Sequence, residues 1–226
     1  MPRESKQSKQ ARAEETCVRM EERYGHMESA LDYTSPFTLL VAVMLSAQTT
    51  DVAVNKVTPE LFARWPGPAE LAQAELYQVE DVIHSLGFYR TKAQHAIELS
   101  QVLISEYGGE VPKSMEELTR LPGVGRKTAN IVLNKAFGIV EGIAVDTHVY
   151  RIATRLGFTK APTPAAAEKD LLELIQKSLW HGVNETWIRL GREICSARGA
   201  RCDACPLADL CPSAGQPDRY LKHKRR

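Results

Sequence analysis

Leu121-Pro122-Gly123-Val124-Gly125-Arg126-Lys127-Thr128-Ala129-Asn130 is the stretch whose reading decides the fold. Pro122 presets one turn and has no N–H to donate. Gly123 and Gly125 allow a tight hairpin and let a ligand come close to the backbone. Downstream, Ala129, Val132, Leu133, Ala136 and Phe137 recur at helical spacing, and Gly138 stops them. Upstream, Ser114 and Glu117 have the spacing of a capping box, with Met115 and Leu118 on one face. The expectation is helix, glycine hairpin, helix.

Such a hairpin points backbone N–H groups out of a helix N-terminus, a geometry that takes a phosphate without reading base sequence. No Asp or Glu occurs from residue 118 to 140, whereas Arg120, Arg126, Lys127 and Lys135 are basic. A glycine hairpin by itself serves equally well as the link of a plain helical pair. The acid-free basic run is what points to a nucleic-acid backbone.

The whole chain advertises nothing of the kind. It has 226 residues, 43% hydrophobic and 25% charged, with a net charge of +1. That is the composition of an ordinary globular protein with one large or two small domains, and any nucleic-acid contact must rest on local patches. No apolar run is long enough to span a membrane, and the polar N-terminus lacks a signal-peptide core. The expectation is an intracellular, cytoplasmic protein. In that reducing setting its five cysteines should not pair.

Outward from the hairpin, helical signals dominate. Residues 1–14 are charged without an apolar period and read as a disordered tail, followed by a short helix to Tyr24. Ser35-Pro36 opens a helix, and the apolar residues 37–45 read as its buried body. After a polar break at 46–50, Asp51 is expected to cap a helix ending before Trp65. Short helices follow near 70–74 and 79–86. Gly87-Phe88-Tyr89-Arg90 reads as a loop and Thr91 as the cap of a long helix closed by Gly108-Gly109. Thr147 should cap a helix to Leu156, Pro162-Thr163-Pro164 should open another, and Asn184 should cap a last one carrying Trp187 and Leu190. The basic tail at 222–226 is expected to be mobile. No strand is legible, so the fold class is all-α, with about ten helices and a soft boundary near Gly142.

Cys195, Cys202, Cys205 and Cys211 are separated by six, two and five residues, and Cys17 stands apart. Metal binding explains the four better than a core does, because Gly199, Pro206 and Pro212 leave little regular structure there. A single CxxC with uneven flanks leaves zinc and an iron–sulfur cluster both open. Arg198 and Arg201 lie inside this loop without an acid and read as phosphate contacts rather than as a merely solvated loop.

Lys127 falls in the first turn after the hairpin, beside Arg126. The helix dipole and the neighbouring charge both favour the neutral amine, which is a nucleophile able to form a Schiff base. A plain phosphate ligand fits the same position equally well. Asp146 follows the apolar Ile143-Ala144-Val145 and precedes a helix, where an acid ordinarily serves the helix N-terminus.

Residues 121–130, followed by Val145-Asp146-Thr147-His148, resemble the helix-hairpin-helix DNA glycosylases, and the likeness runs from about residue 35 to 211. The resemblance implies a two-lobed helical fold. Residues 30–141 would form a six-helix lobe carrying the hairpin. Residues 142–226, joined by the N-terminal helix within 1–29, would form a lobe with a [4Fe–4S] cluster on the four cysteines. It implies a monomer acting on double-stranded DNA, removing oxidised pyrimidines and nicking abasic sites. Lys127 would be the nucleophile at C1′ and Asp146 the assisting carboxylate, with no chemical role given to His148. Gln48 matches the glutamine this family inserts into the duplex. Phe88 stands at its wedge position, where leucine is more usual. Gly123, Gly125 and Arg126 would hold the DNA backbone. Two other readings are a monofunctional mismatch glycosylase, whose relatives lack the lysine, and a non-enzymatic DNA-binding module. Lys127 disfavours the first, and the presence of both Lys127 and Asp146 disfavours the second.

Overall fold

Side chains that cap helix ends and apolar faces that bury them account for most of the architecture. The computed structural model describes residues 4–25 and 30–217. The α-helices are α1 (Lys6–Tyr24), α2 (Pro36–Leu45), α3 (Asp51–Arg64), α4 (Pro68–Ala72), α5 (Leu76–Ile83), α6 (Tyr89–Tyr107), α7 (Met115–Leu118), α8 (Arg126–Phe137), α9 (Thr147–Arg155), α10 (Pro164–Leu174) and α11 (Trp180–Glu193). Short 3-10 turns occupy Lys177–Leu179 and Cys202–Ala204, and no strand occurs among the described residues. The fold is all-α. Two compact units are present, one from Glu28–Glu141 and one from Met1–Met27 with Gly142–Arg226.

The 28–141 unit is built around α2. Ser35 accepts from the Thr38 amide while the Thr38 hydroxyl accepts from the Ser35 amide, a reciprocal cap with Pro36 in the first turn. Every residue from Phe37 to Leu45 is buried, which is why the stretch shows no amphipathic period. Helices α3, α6 and α8 pack on it, and α6 also carries α4 and α5. With the single turn α7 included, the unit has seven helical segments against the six expected.

The other unit assembles around Trp187, which is fully buried and lies 6.2 Å from Phe158, centroid to centroid. Helix α11 packs on α9 and α1, and α10 packs on both α9 and α1.

Several boundaries differ from the sequence reading. The expected disordered tail at 1–14 is helical from Lys6, where Ser5 caps by accepting from the Ser8 amide at 3.1 Å. Small buried residues, Ala13 and Thr16, give that face no apolar signature. Its anchor is polar instead. Arg12 donates to Leu156 O at 2.7 Å and Leu210 O at 3.0 Å, and its guanidinium lies 4.8 Å from the Phe158 ring centroid. Thr50, not Asp51, caps α3. α4 starts at Pro68, and α5 runs three residues earlier than expected because Leu86 already closes a turn onto Ile83 O. α6 starts at Tyr89 rather than after Thr91. α9 is capped by Asp146, leaving Thr147 as its first residue. α11 begins four residues before Asn184, whose side-chain amide donates to Ala144 O at 2.6 Å. The basic stretch 222–226 lies outside the described residues.

Candidate nucleic-acid interface and cysteine cavity

The hairpin between α7 and α8 closes through Val124 N–H to Leu121 O at 3.1 Å. Gly123 has φ +75, and a Cβ there would meet His95 Nδ1 at 2.9 Å, so backbone sign and space both require glycine. Gly125 opens α8 without a side-chain cap. The first-turn amides of α8 are thus not satisfied by a capping side chain, the arrangement that suits an anion. Arg126 and Lys127 are exposed on that first turn. Arg120, further back, is paired with Glu116 one turn away.

Two more sequence-nominated residues belong to the same unit. Gln48 sits in the turn after α2 with φ 54, and Phe88 sits at the start of α6 with φ 59. They are the only non-glycine residues with positive φ among the described residues. Left-handed backbone costs roughly 1–2 kcal/mol for an ordinary side chain, and such outliers gather where side chains must be aimed. Both residues are exposed, Phe88 to 67%, so Phe88 does not belong to the core. Lys92, which the sequence reading passed over, ties the two turns together. Its Nζ donates to Thr49 Oγ1 at 2.6 Å and its amide to Phe88 O at 3.1 Å.

Lys127 belongs to the 28–141 unit and Asp146 to the other. Asp146 caps α9, and Oδ1 accepts from both the His148 and Val149 amides at 2.8 Å. Neither cap bond uses Oδ2. The His148 imidazole Nδ1 lies 3.0 Å from Arg151 Nη2. Burial lowers the His148 pKa, Asp146 opposes that shift, and Arg151 and Arg192 add to it. Gly191 is needed beside them, since a Cβ there would come within 2.7 Å of His148 Nδ1.

Cys195, Cys202, Cys205 and Cys211 line one partly open cavity, with Ile194, Ala208 and Pro217. All four are free thiols. Burial raises the pKa of Cys205 and Cys211, backbone amides at Leu207 and Ser213 respectively oppose the rise, and the neighbouring cysteines add to it. The thiols therefore sit close enough to repel one another when ionised, a repulsion that a bound cationic group relieves. Among the described residues no three His, Cys, Asp or Glu side chains gather as they would around one ion.

Arg155 was invisible to the sequence reading, although it holds this loop. It is 2% exposed, and Nη1 donates to Cys195 Sγ at 3.2 Å and Ser196 O at 2.7 Å. Nη2 donates to Ala197 O at 3.3 Å and Nε to Pro217 O at 3.2 Å. A buried arginine on a helix otherwise read by its apolar face leaves no sequence signal, because its acceptors come from the far loop. Arg198 and Arg201 are both exposed, and Arg201 also borders the cavity and donates to Glu193 O.

Comparison with known proteins places these features in company. Residues 41–177 match the family described as HhH-GPD superfamily base excision DNA repair protein. The chain is 48% identical over 207 residues to the endonuclease III of Synechocystis sp., covering 92% of this chain and 94% of that one. It is 42% identical over 213 residues to the endonuclease III of Bacillus subtilis, covering 93% and 97%. Among solved structures, a trapped endonuclease III–DNA covalent intermediate in an estranged-adenine complex is similar with a TM-score of 0.86 at 40% identity, covering 96% of this chain and 100% of that one.

Proposed function

We infer the activity from one premise: the chain belongs to the HhH-GPD superfamily of base excision DNA repair proteins, and it is a DNA glycosylase with abasic-site lyase activity. The observation that carries this reading to particular atoms is Lys127, exposed on the first turn of a helix that opens, uncapped, from the glycine hairpin. The substrate class is double-stranded DNA carrying an oxidised pyrimidine or an abasic site. The protein acts as a monomer in the cytoplasm.

Gly123, Gly125 and Arg126 hold a backbone phosphate. Gln48 and Phe88 enter the stack as the damaged nucleotide leaves it. Lys127 Nζ attacks C1′, the C1′–N bond breaks, and its electron pair leaves with the base. Asp146 assists proton movement off the amine and stabilises the positive charge that develops on the sugar. The ring-opened sugar is then held as an imine. Loss of a proton from C2′ expels the 3′ phosphate by β-elimination, and water releases the lysine. Phosphate contacts at Arg198 and Arg201 complete the DNA footprint.

The cysteines fit a [4Fe–4S] cluster: four thiols face one cavity, and Arg155 donates to Cys195 Sγ. The cluster, when bound, cross-links the loop that presents Arg198 and Arg201. Iron, zinc and acid-labile sulfide measured on anaerobically purified protein test this, and stoichiometric zinc without sulfide would overturn it.

Borohydride trapping tests the reaction. The unaltered protein should become covalently joined to a lesion duplex, and Lys127→Ala should abolish that adduct while keeping most of the DNA affinity, which rests on backbone amides. Trapping at the unaltered level in Lys127→Ala would show that another amine is the nucleophile. Base release without any trapping would make the protein monofunctional.

A further inference from the structure

Lys92 is the one charged side chain buried in the 28–141 unit among the described residues, at 5% exposure. The reaction above does not use it. An ammonium taken out of water is costly unless it is paired, and here its hydrogen-bond partner is a hydroxyl rather than a carboxylate. Burial alone lowers its pKa. An apolar residue would fill the same space on α6 more favourably, so stability does not account for a lysine there.

What the lysine does is join two turns that are far apart in sequence. Its Nζ reaches Thr49 Oγ1 at 2.6 Å, across 43 residues. Thr49 Oγ1 in turn donates to Ala47 O at 3.4 Å. The chain of bonds therefore grips the backbone on both sides of Gln48. The amide of the same lysine donates to Phe88 O at 3.1 Å. The residues gripped in this way are the two with left-handed backbone, φ 54 and φ 59, and both are exposed.

We propose that Lys92 is a positioning residue that locks Gln48 and Phe88 into one two-pronged wedge, so that the polar and aromatic prongs enter the duplex as a single event. The proposal rests on the reading of Gln48 and Phe88 as inserted residues. Without the lysine–threonine link each prong rides on its own turn, and opening of the stack requires two independent placements. The step served is extrusion of the damaged nucleotide. An abasic site, which has no base to displace, depends on it less.

Thr49→Val removes the acceptor without touching the buried lysine, and Thr49→Ser restores it. Lys92→Met removes the donor at similar volume. The full chain is mixed with a duplex holding one oxidised pyrimidine beside 2-aminopurine, and the fluorescence rise reports unstacking. Base release, nicking of a preformed abasic duplex and thermal melting are measured alongside. Loss of a hydrogen bond to a charged group predicts that Thr49→Val and Lys92→Met slow the fluorescence rise and base release by about tenfold or more. Thr49→Ser and abasic nicking should stay within about twofold of the unaltered protein. Gln48→Ala and Phe88→Ala should be non-additive in the unaltered chain and additive when combined with Thr49→Val. Unchanged extrusion in a stably folded Thr49→Val would overturn the role of Lys92. So would equal losses on both substrates accompanied by a lowered melting point, which mark a structural contact. Absence of base release by the unaltered protein would instead overturn the reading of the site on which the proposal stands.

Discussion

At the scale of single residues, Asp146 caps α9, and the acid–base role proposed for it can be separated from that cap. Both cap bonds fall on Oδ1. An asparagine retains that acceptor and caps about as well as aspartate. Asp146→Asn should therefore melt close to the unaltered protein yet release the base about 10²–10⁴-fold more slowly. Asp146→Ala should add a loss of about 1 kcal/mol from the missing cap, and melting curves with single-turnover rates check the pair. Cys17 is a buried thiol outside the cavity that the other four cysteines line. Burial pushes its thiol up to about 12, with Glu14 and Glu21 adding to the shift. At pH 8 the native protein should leave Cys17 unalkylated by iodoacetamide, and denaturant should expose it, as peptide mass mapping would show. The roles of Lys127 and Asp146 came from the family resemblance, whereas the hairpin glycines and the helix after them were legible because their chemistry is local. Lys92 and Arg155 were not, because what makes them matter is burial against partners more than 40 residues away or in an irregular loop.

At the scale of elements, capping signals with a matching apolar face read true. Ser35-Pro36, Ser114 and Thr163 each start the helix their chemistry calls for. Errors came where a helix is held by something other than its own pattern. α6 opens at Tyr89 from a left-handed Phe88, a start that no capping residue announces. α11 runs through Gly182, a glycine that propensity alone would hold against the helix, because its buried face at Val183, Thr186, Trp187 and Leu190 outweighs that cost. α1 itself depends on Arg12, which binds carbonyls of two separate loops, one of them next to Cys211. Arg12→Ala should destabilise the chain by about 1–3 kcal/mol, since two carbonyls lose a charged donor. It should also speed the loss of iron to a chelator. Equal chelation rates in the variant and the unaltered protein would confine Arg12 to a packing role.

At the scale of the molecule, two cores divide the work. One aims the hairpin, Gln48 and Phe88, and the other carries Asp146 and the cysteines. Cys202→Ala should abolish iron binding and expose the amides of α9 and α11 to hydrogen exchange. The amides of α2 and α6 should stay protected, because the core they bury contains no cysteine. Uniform loss of protection across all four helices would count against two separate cores.

The unit holding the cysteines takes its first helix from one end of the chain and the rest from the other, with 28–141 made in between. Protein synthesis is directional, so Ala13 and Met20 leave the ribosome long before Val149 or Trp187 exists to cover them. At about 5–20 residues per second, the wait is on the order of 6–35 seconds. During that time α1 lacks α10 and α11, the helices that cover it, while every residue of the 28–141 unit is made. Cys211 is made later still than Trp187. The set of four clustered cysteines is thus completed near the end of synthesis, well after the hairpin.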